Sequence, residues 1–367
     1  MAKPAVLCDL GGSRIRFAVG DPSDPLQIHR VTDWEVRRFD GDRRFQTALS
    51  RFLCDTGIDP AERDLMLSLP CEMGLGKFEF DNLHASWSFD ETEILAEFAF
   101  SEVYARNDAF AAFMGIFPVL AADAGNSALH YEYLVSGEHV EGSAIISLGP
   151  GTGLGATGAI LNISRDLEGS EKSSADDGLL IPIPTEYGSS LSHCYNDELR
   201  HFHRYWESQE SDSFLSERNI GVNVTDAFQA VRTRKEFFVS GPGIMRMFEA
   251  LVEENADLQN SATKPRAIVI AAKRSEGDGI YVRVMQAFCK MLADAVVDLG
   301  LSFTARGGIY LYGSILNEIG AGGLEQFGFL QRIEERQADN RYPNGVPIVL
   351  IKHPYLELIG LNRYIEK

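Results

Sequence analysis

The first apolar stretch of the chain, Ala5-Val-Leu-Cys-Asp-Leu10, stops at Gly11-Gly12. Ile15, Phe17 and Val19 then alternate with Arg16 and Ala18. A short apolar run before a glycine pair and period-two alternation after it predict two strands around a turn. Phe45, Leu49, Phe52 and Leu53 recur at helical spacing and predict a helix over 41–56. A strand follows at 65–69, ended by Pro70. Asp90, with Glu93 three residues on, starts a helix over 90–100. The strand Glu102-Val-Tyr-Ala105 runs into Arg106-Asn107-Asp108, and a helix over about 109–122 comes next.

A second β-rich unit opens at Ala144-Ile-Ile-Ser-Leu148. This strand enters Gly149-Pro-Gly-Thr-Gly-Leu-Gly155, and Ala159-Ile-Leu-Asn-Ile163 leaves it as another strand. Residues 165–178 are polar and acidic and read as a loop. Helical patterns cover about 191–210, 225–235, 243–255 and 278–298. Strands are expected at 308–312, just before Gly313-Ser314, and at 346–351, with a closing helix at 355–361. No repeat with a period of 20–50 residues is visible, nor any low-complexity tract. The organisation is a hairpin with a glycine turn near residue 11, the same near residue 152, and between them a strand ending in Asn-Asp. Two similar α/β lobes of this kind would place a cleft between them, where small-molecule sites usually lie.

At 367 residues the chain is long enough for about two domains. We expect a small lobe over 1–110 completed by about 352–367, and a large lobe over 111–351. Composition narrows the function. Lys and Arg total 34 and Asp and Glu 53, a net charge of −19 that would repel phosphate backbones and anionic lipid. Nucleic-acid and membrane partners are therefore disfavoured, whereas a nucleotide is not, because loop amides can hold phosphates locally. No apolar run approaches a membrane span, and the start reaches Asp9 before a secretory h-region develops, so a cytoplasmic location is expected. Cys8, Cys54, Cys71, Cys194 and Cys289 are odd in number and widely spaced, which reads as buried reduced thiols. His201 and His203 stand two apart in a helical context, do not share a helix face, and are expected at the surface.

Residues 149–155 carry four glycines, a composition that lets backbone amides approach an anion closely. The loop lacks the Gly-Lys-Ser/Thr of a P-loop. Gly153 to Gly158 match G-x-G-x-x-G, but a strand rather than a helix follows, so that match is read as accidental. A tight hairpin without a ligand is the alternative reading of the loop. Asp9, at the end of a buried strand beside the Gly11-Gly12-Ser13 turn, suits a metal–phosphate complex; a purely structural turn is the other reading. Asp108 either points out of the carboxyl end of the sheet, where ligands bind, or caps the helix. Glu186 and Glu236 are acidic residues beside turns, which surfaces also contain.

Taken in order, Asp9-Leu-Gly-Gly-Ser, Asn107-Asp108, the 149–155 loop, Glu186, Ser240-Gly-Pro-Gly243 and Gly307-Gly-Ile-Tyr-Leu-Tyr-Gly313 resemble the bacterial-type glucokinase family over nearly the whole chain. Asn82-Leu83 with Trp87-Ser-Phe89 is similar to the family segment beside the sugar. The resemblance implies an α/β, two-lobed ribonuclease-H-like (actin-like ATPase) fold with an interlobe cleft. It implies an ATP-dependent, Mg²⁺-requiring hexose kinase that phosphorylates glucose or a related hexose at the start of glycolysis, and a homodimer. By similarity Asp108 is the base for the 6-hydroxyl proton. Asn107, Glu186, Ser189, Glu236 and Thr152 fall at substrate-binding positions. Asp9, Gly11, Gly12, Ser13, Gly151, Thr152, Gly153 and Gly313 fall at nucleotide-binding positions, with Asp9 facing ATP-bound Mg²⁺ through water.

The pattern also departs from the family. Ser13-Arg14 stands for Thr-Asn, Glu186-Tyr-Gly-Ser189 for Glu-Gly-Gly-His, Gly313-Ser314 for Gly-Gly, and Ala109-Phe110 for Phe-Thr. These changes leave open a kinase for another sugar, another phosphotransferase or ATPase of the same fold, or a degenerate sensor that binds sugar or nucleotide without turnover.

Overall fold

The computed structural model describes residues 4–61, 63–70, 77–82, 85–122, 130–162, 179–192, 196–208, 234–253, 264–275, 277–340 and 342–363. The chain divides into two units, Met1–Tyr131 with His353–Lys367, and Glu132–Lys352.

The first unit is built on a five-stranded sheet. Strands β1 (Val6–Leu10) and β2 (Arg14–Gly20) form the expected hairpin, and β3 (Ile28–Glu35) extends it antiparallel. Strands β4 (Leu65–Leu69) and β7 (Val103–Asn107) continue the other edge in parallel, giving the order β3-β2-β1-β4-β7. A separate hairpin, β5 (Lys77–Asn82) with β6 (Ala85–Asp90), precedes helix α2 (Glu91–Phe98). Asp90 caps α2 as expected, accepting from the Thr92 amide at 2.7 Å. Neither β3 nor this hairpin was expected: β3 is only partly buried and mixes polar with apolar residues, so its alternation is weak.

Alternation along β1 sorts its side chains. Val6, Cys8 and Leu10 join Phe17, Phe45 and Phe52 on the face covered by helix α1 (Arg44–Thr56). Leu7 joins Ala18, Ala111, Leu358 and Leu361 on the other face, under helices α3 (Asp108–Ala121) and α11 (Leu356–Asn362). Asp9 shares the parity of Leu7, so its carboxylate belongs to the α3–α11 face. Helix α11 is locked in place at its far end, where the Asn362 amide donates to carbonyls of Asp21, Asp24 and Pro25 at 3.0–3.2 Å.

The second unit repeats the plan in a six-stranded sheet, order β11-β10-β9-β12-β13-β8. Its strands are β8 (Tyr131–Val135), β9 (Ile145–Pro150), β10 (Leu154–Asn162), β11 (Leu179–Pro184), β12 (Ile309–Leu311) and β13 (Ile348–Ile351). Again three antiparallel strands are followed by parallel ones. Strand β10 starts at Leu154, five residues earlier than its apolar run suggests, because pairing with β9 orders a glycine-containing segment of low strand propensity. Because Gly153 to Gly158 run into a strand, no dinucleotide-type helix opens there.

The helices are α4 (Asp197–Ser208), α5 (Lys235–Phe238), α6 (Gly241–Glu253), α7 (Pro265–Arg274), α8 (Ile280–Phe303), α9 (Ser314–Gln326) and α10 (Phe329–Asn340). Helix α8 is apolar over most of its circumference and runs through the core. Helices α7, α9 and α10 escaped the sequence reading; their mean hydropathy is low or interrupted by glycine. The loop expected at 165–178 and most of the helix expected at 225–235 lie outside the described residues. Among those described, no helix is long and apolar enough to cross a membrane.

Two expectations about single residues are corrected. His203 is buried in α4 with its ring 4.7 Å from Phe238, because the apolar face of the helix turns it inward. Cys54 is exposed near the end of α1, while Cys8 and Cys289 are buried as expected; Cys71 and Cys194 lie outside the described residues.

Candidate active site

In the first unit the chemistry gathers at the carboxyl ends of β1 and β7. Asp9 is buried, with Oδ2 2.7 Å from Arg16 Nη1 and Oδ1 accepting from Ser68 Oγ at 3.2 Å. The turn beyond it closes through the Gly11 amide, which donates to the Arg14 carbonyl at 2.9 Å, leaving Ser13 exposed at its tip. Arg14 turns away along the sheet. Its Nε donates to Asp33 Oδ1 at 2.7 Å and its Nη2 to the Asp33 carbonyl at 3.1 Å. An ion pair this exposed is worth up to about 1 kcal/mol. Arg14→Ala is therefore expected to change kcat and KM less than about threefold; a coupled kinase assay checks it.

The cap of α3 belongs to Asn107, not to Asp108. Asn107 Oδ1 accepts from the Ala109 and Phe110 amides at 3.0 and 3.3 Å. Asn107 has the extended backbone an N-cap requires, which leaves Asp108 as the first helical residue. Asp108 is part-exposed, and its Oδ1 accepts from the Ala109 amide at 2.7 Å, fixing the carboxylate on the helix's first turn.

A further carboxyl was missed. Glu357, in the first turn of α11, interacts electrostatically with Asp9, Arg16 and Asp108. Burial, then the neighbouring Asp9 charge, push its carboxyl up to about 8, with Arg16 opposing. Burial also raises Asp9, against the pull of Arg16. The signal for Glu357 was legible: it is the only charged residue in Tyr355-Leu-Glu-Leu-Ile-Gly-Leu361.

A carboxyl raised on folding stabilises fully below its unfolded value, near 4.5, and that contribution is lost as pH rises through about 8. Melting temperatures from pH 5 to 9 should show the wild type falling relative to Glu357→Gln across that window. Parallel curves would exclude the effect.

In the second unit four separated motifs meet. The Gly151 amide donates to the Gly153 carbonyl at 2.9 Å, which closes the β9–β10 turn with Thr152 exposed on it. The Gly151 carbonyl accepts from the Gly241 amide at 2.8 Å, tying the turn to the start of α6. Buried Ser240 caps that start, its Oγ accepting from the Gly243 amide at 3.1 Å. Tyr312 lies flat against Gly149, where any β-carbon would enter its ring. Gly313 follows with φ +111°, a backbone state that favours glycine, and opens α9. The glycine turn and the first residues of two helices thus lie together; the opening amides of α6 are held by Gly151 and Ser240, so the turn and the start of α9 are the amides that suit an anion.

Glu236 belongs to the same cluster. Its Oε2 lies 3.1 Å from where a β-carbon on Gly153 would stand and 3.3 Å from one on Gly188. Glu186 is exposed at the start of the short turn Tyr187–Ser189, and its carbonyl accepts from the Ser189 amide at 3.0 Å. Hence Gly151, Thr152, Gly153, Glu186, Ser189, Glu236 and Gly313 are gathered in the second unit. Asp9, Gly11, Gly12, Ser13, Asn107 and Asp108 are gathered in the first.

The glucokinase family model matches residues 6–172 and 216–367. The chain belongs to the glucokinase family. Residues 1–5 and 173–215 fall outside that match, and the second stretch carries Glu186 and Ser189. The chain is 23% identical to a glucokinase of Saccharophagus degradans over 376 aligned residues, 99% of this chain and 98% of that one. The fold is similar to that of a glucokinase from Balamuthia mandrillaris solved with glucose. The TM-score is 0.73 at 18% identity, over 99% of this chain and 93% of that one. It is also similar to a ROK-family glucokinase from Streptomyces griseus solved with glucose and AMPPNP, TM-score 0.55 at 16% identity, covering 99% of each chain. As a member of the glucokinase family, the protein is a sugar kinase with the actin-like ATPase fold. The repeated sheet order of its two units is the local expression of that fold.

Proposed function

We propose that the protein transfers the γ-phosphoryl group of ATP to the 6-hydroxyl of glucose or a close hexose, with Asp108 as general base. The observation that carries this reading is the state of Asp108. It is a part-exposed carboxylate at the carboxyl end of β7, fixed by the Ala109 amide, while the adjacent Asn107 takes over the capping. A carboxylate held there and spared the cap can accept an alcohol proton as the sugar oxygen attacks phosphorus. The new O6–P bond forms as the bond to the β–γ bridging oxygen breaks, and the proton passes to Asp108.

The chain's other residues serve position and charge. The glycine turn at 151–153 and the amides opening α9 offer donors to phosphate oxygens, while the opening amides of α6 are spent on Gly151 and Ser240 and brace the turn. Glu186, Glu236 and Asn107 offer acceptors and an amide suited to sugar hydroxyls, each of which needs a partner once buried. Ser189 can reach a hydroxyl only over a shorter span than the family's histidine.

Mg²⁺, when bound with the triphosphate, neutralises charge that develops on the transferring group. Asp9 fits an indirect role toward such an ion: both its oxygens already have protein partners, and each keeps a lone pair for a metal-bound water. Among the described residues no group of three His, Cys, Asp or Glu is placed to hold a metal ion.

A coupled assay with ATP, Mg²⁺ and a panel of hexoses tests the proposal. Turnover on glucose or an epimer supports it. No turnover on any sugar, with wild type and Asp108→Ala indistinguishable, would favour the non-catalytic sensor. Arg14, one ground for that alternative, is engaged by Asp33 and needs no site-directed role.

A further inference from the structure

Glu186 and Glu236 come from two separate short segments, the turn at 187–189 and the one-turn helix α5, and something must hold these segments in register. Neither segment is long enough to be rigid alone. The residue after Glu186 is Tyr187, and the residue before Glu236 is Lys235. Lys235 is buried, with its Nζ 5.0 Å from the centre of the Tyr187 ring. The same Nζ donates to the Leu191 carbonyl at 2.6 Å and lies 3.4 Å from Asp298 Oδ2 on α8. The Lys235 amide donates to the Ser190 carbonyl at 2.8 Å. Tyr187 is pinned from its far end, its hydroxyl donating to the Ala295 carbonyl on α8 at 2.9 Å. Burial beside Asp298 keeps that phenol protonated, and so a donor.

We propose that Lys235 and Tyr187 are positioning residues: a buried cation–ring clamp, anchored on α8, that fixes the relative placement of the Glu186 and Glu236 carboxylates. The inference rests on the reading of those two carboxylates as sugar ligands and deepens it. Its physical logic is that of a desolvated cation over a ring with a charged partner behind it. A lysine this deep is retained only where every donor finds work. Here it works on both segments at once, so loosening it should cost sugar placement before it costs the phosphate-binding turn. That turn has its own support in the Gly151–Gly241 bond.

The test is steady-state kinetics on Lys235→Met, Lys235→Arg and Tyr187→Phe, with sugar affinity from calorimetry. The Met variant should still fold, because Asp298 keeps Arg336 Nη2 at 2.9 Å. We expect Lys235→Met to raise KM and Kd for the sugar about tenfold while KM for ATP stays within about twofold, given how steeply misplacement lowers productive contacts. Lys235→Arg should recover most of the loss, and Tyr187→Phe, which keeps the ring, should lose less than Lys235→Met. A merely structural role would lower the melting temperature while moving both KM values together, or neither, and would overturn the clamp. A variant that does not fold at all, with Tyr187→Phe kinetically silent, overturns it as well. A wild type that neither binds nor phosphorylates any sugar defeats the functional reading and the clamp with it; an active wild type with unshifted variants defeats the clamp alone.

Discussion

Asp108→Asn is expected to lower kcat by at least about 10²-fold while leaving sugar affinity within a few-fold of wild type. Asparagine keeps the shape and can still accept from the Ala109 amide, as Asp108 Oδ1 does at 2.7 Å. It cannot take a proton. The expected split, a fall in kcat with little change in KM, is what removing a group that acts in the transition state produces. Steady-state kinetics with a purified, folded variant reads it directly. Because Asn107 supplies the helix cap, the substitution leaves the N-terminus of α3 intact, and the melting temperature should hardly move. An Asn variant with wild-type kcat would remove Asp108 from the chemistry. Position 9 provides a contrast: Asp9 is the closer of two carboxylate partners of Arg16, Asp33 lying 3.4 Å from its Nε, so Asp9→Asn weakens a part-buried ion-pair cluster and should cost stability as well as activity.

Gly360→Val is expected to destabilise the first unit by at least about 3 kcal/mol, the upper end of what overpacking costs. Helices α3 and α11 meet backbone to backbone. A β-carbon on Gly360 would overlap the Ala111 carbonyl oxygen and stand 2.9 Å from the Gly115 nitrogen. One on Gly115 would overlap the Leu356 carbonyl in return. Both obstacles are main chain, which cannot swing aside as a side chain does. The helices would have to part, and with them Asp108 and Glu357 on their first turns. Urea denaturation of the variant should show the lowered midpoint, and kinase activity should fall with it. Gly322→Ala, in open space on α9, is the control and should be neutral or slightly stabilising. Equal midpoints for Gly360→Val and wild type would refute the close crossing.

Much of this was legible along the chain because local patterning is a local property. The apolar run at 5–10, the alternation at 15–19 and the helical spacing at 45–53 correspond to β1, buried on both faces, to β2, and to α1, which buries one well-defined face. The glycine-rich motifs could be read because close backbone approach admits no side chain: Gly149 against Tyr312 is such a place. Strand β3 and helices α7, α9 and α10 were not legible: β3 mixes polar with apolar residues, the helices are low in mean hydropathy or interrupted by glycine, and tertiary packing decides their state. Glu357 was visible as a lone charge in an apolar segment, but nothing in its neighbours named its partners.

By itself, then, the sequence determined two α/β units with a glycine turn in each, the family, and the identity of the polar residues available for chemistry. Only the tertiary structure decided which of those residues share a face. Strand parity and the α3–α11 crossing put Glu357 beside Asp9 and Asp108; Asp33 drew Arg14 away; Lys235 and Tyr187 came together under Glu186 and Glu236. The reason is physical: periodicity fixes which way a side chain points from its own element, whereas a charge's partners are set by contacts between residues as distant in sequence as Asp9 and Glu357.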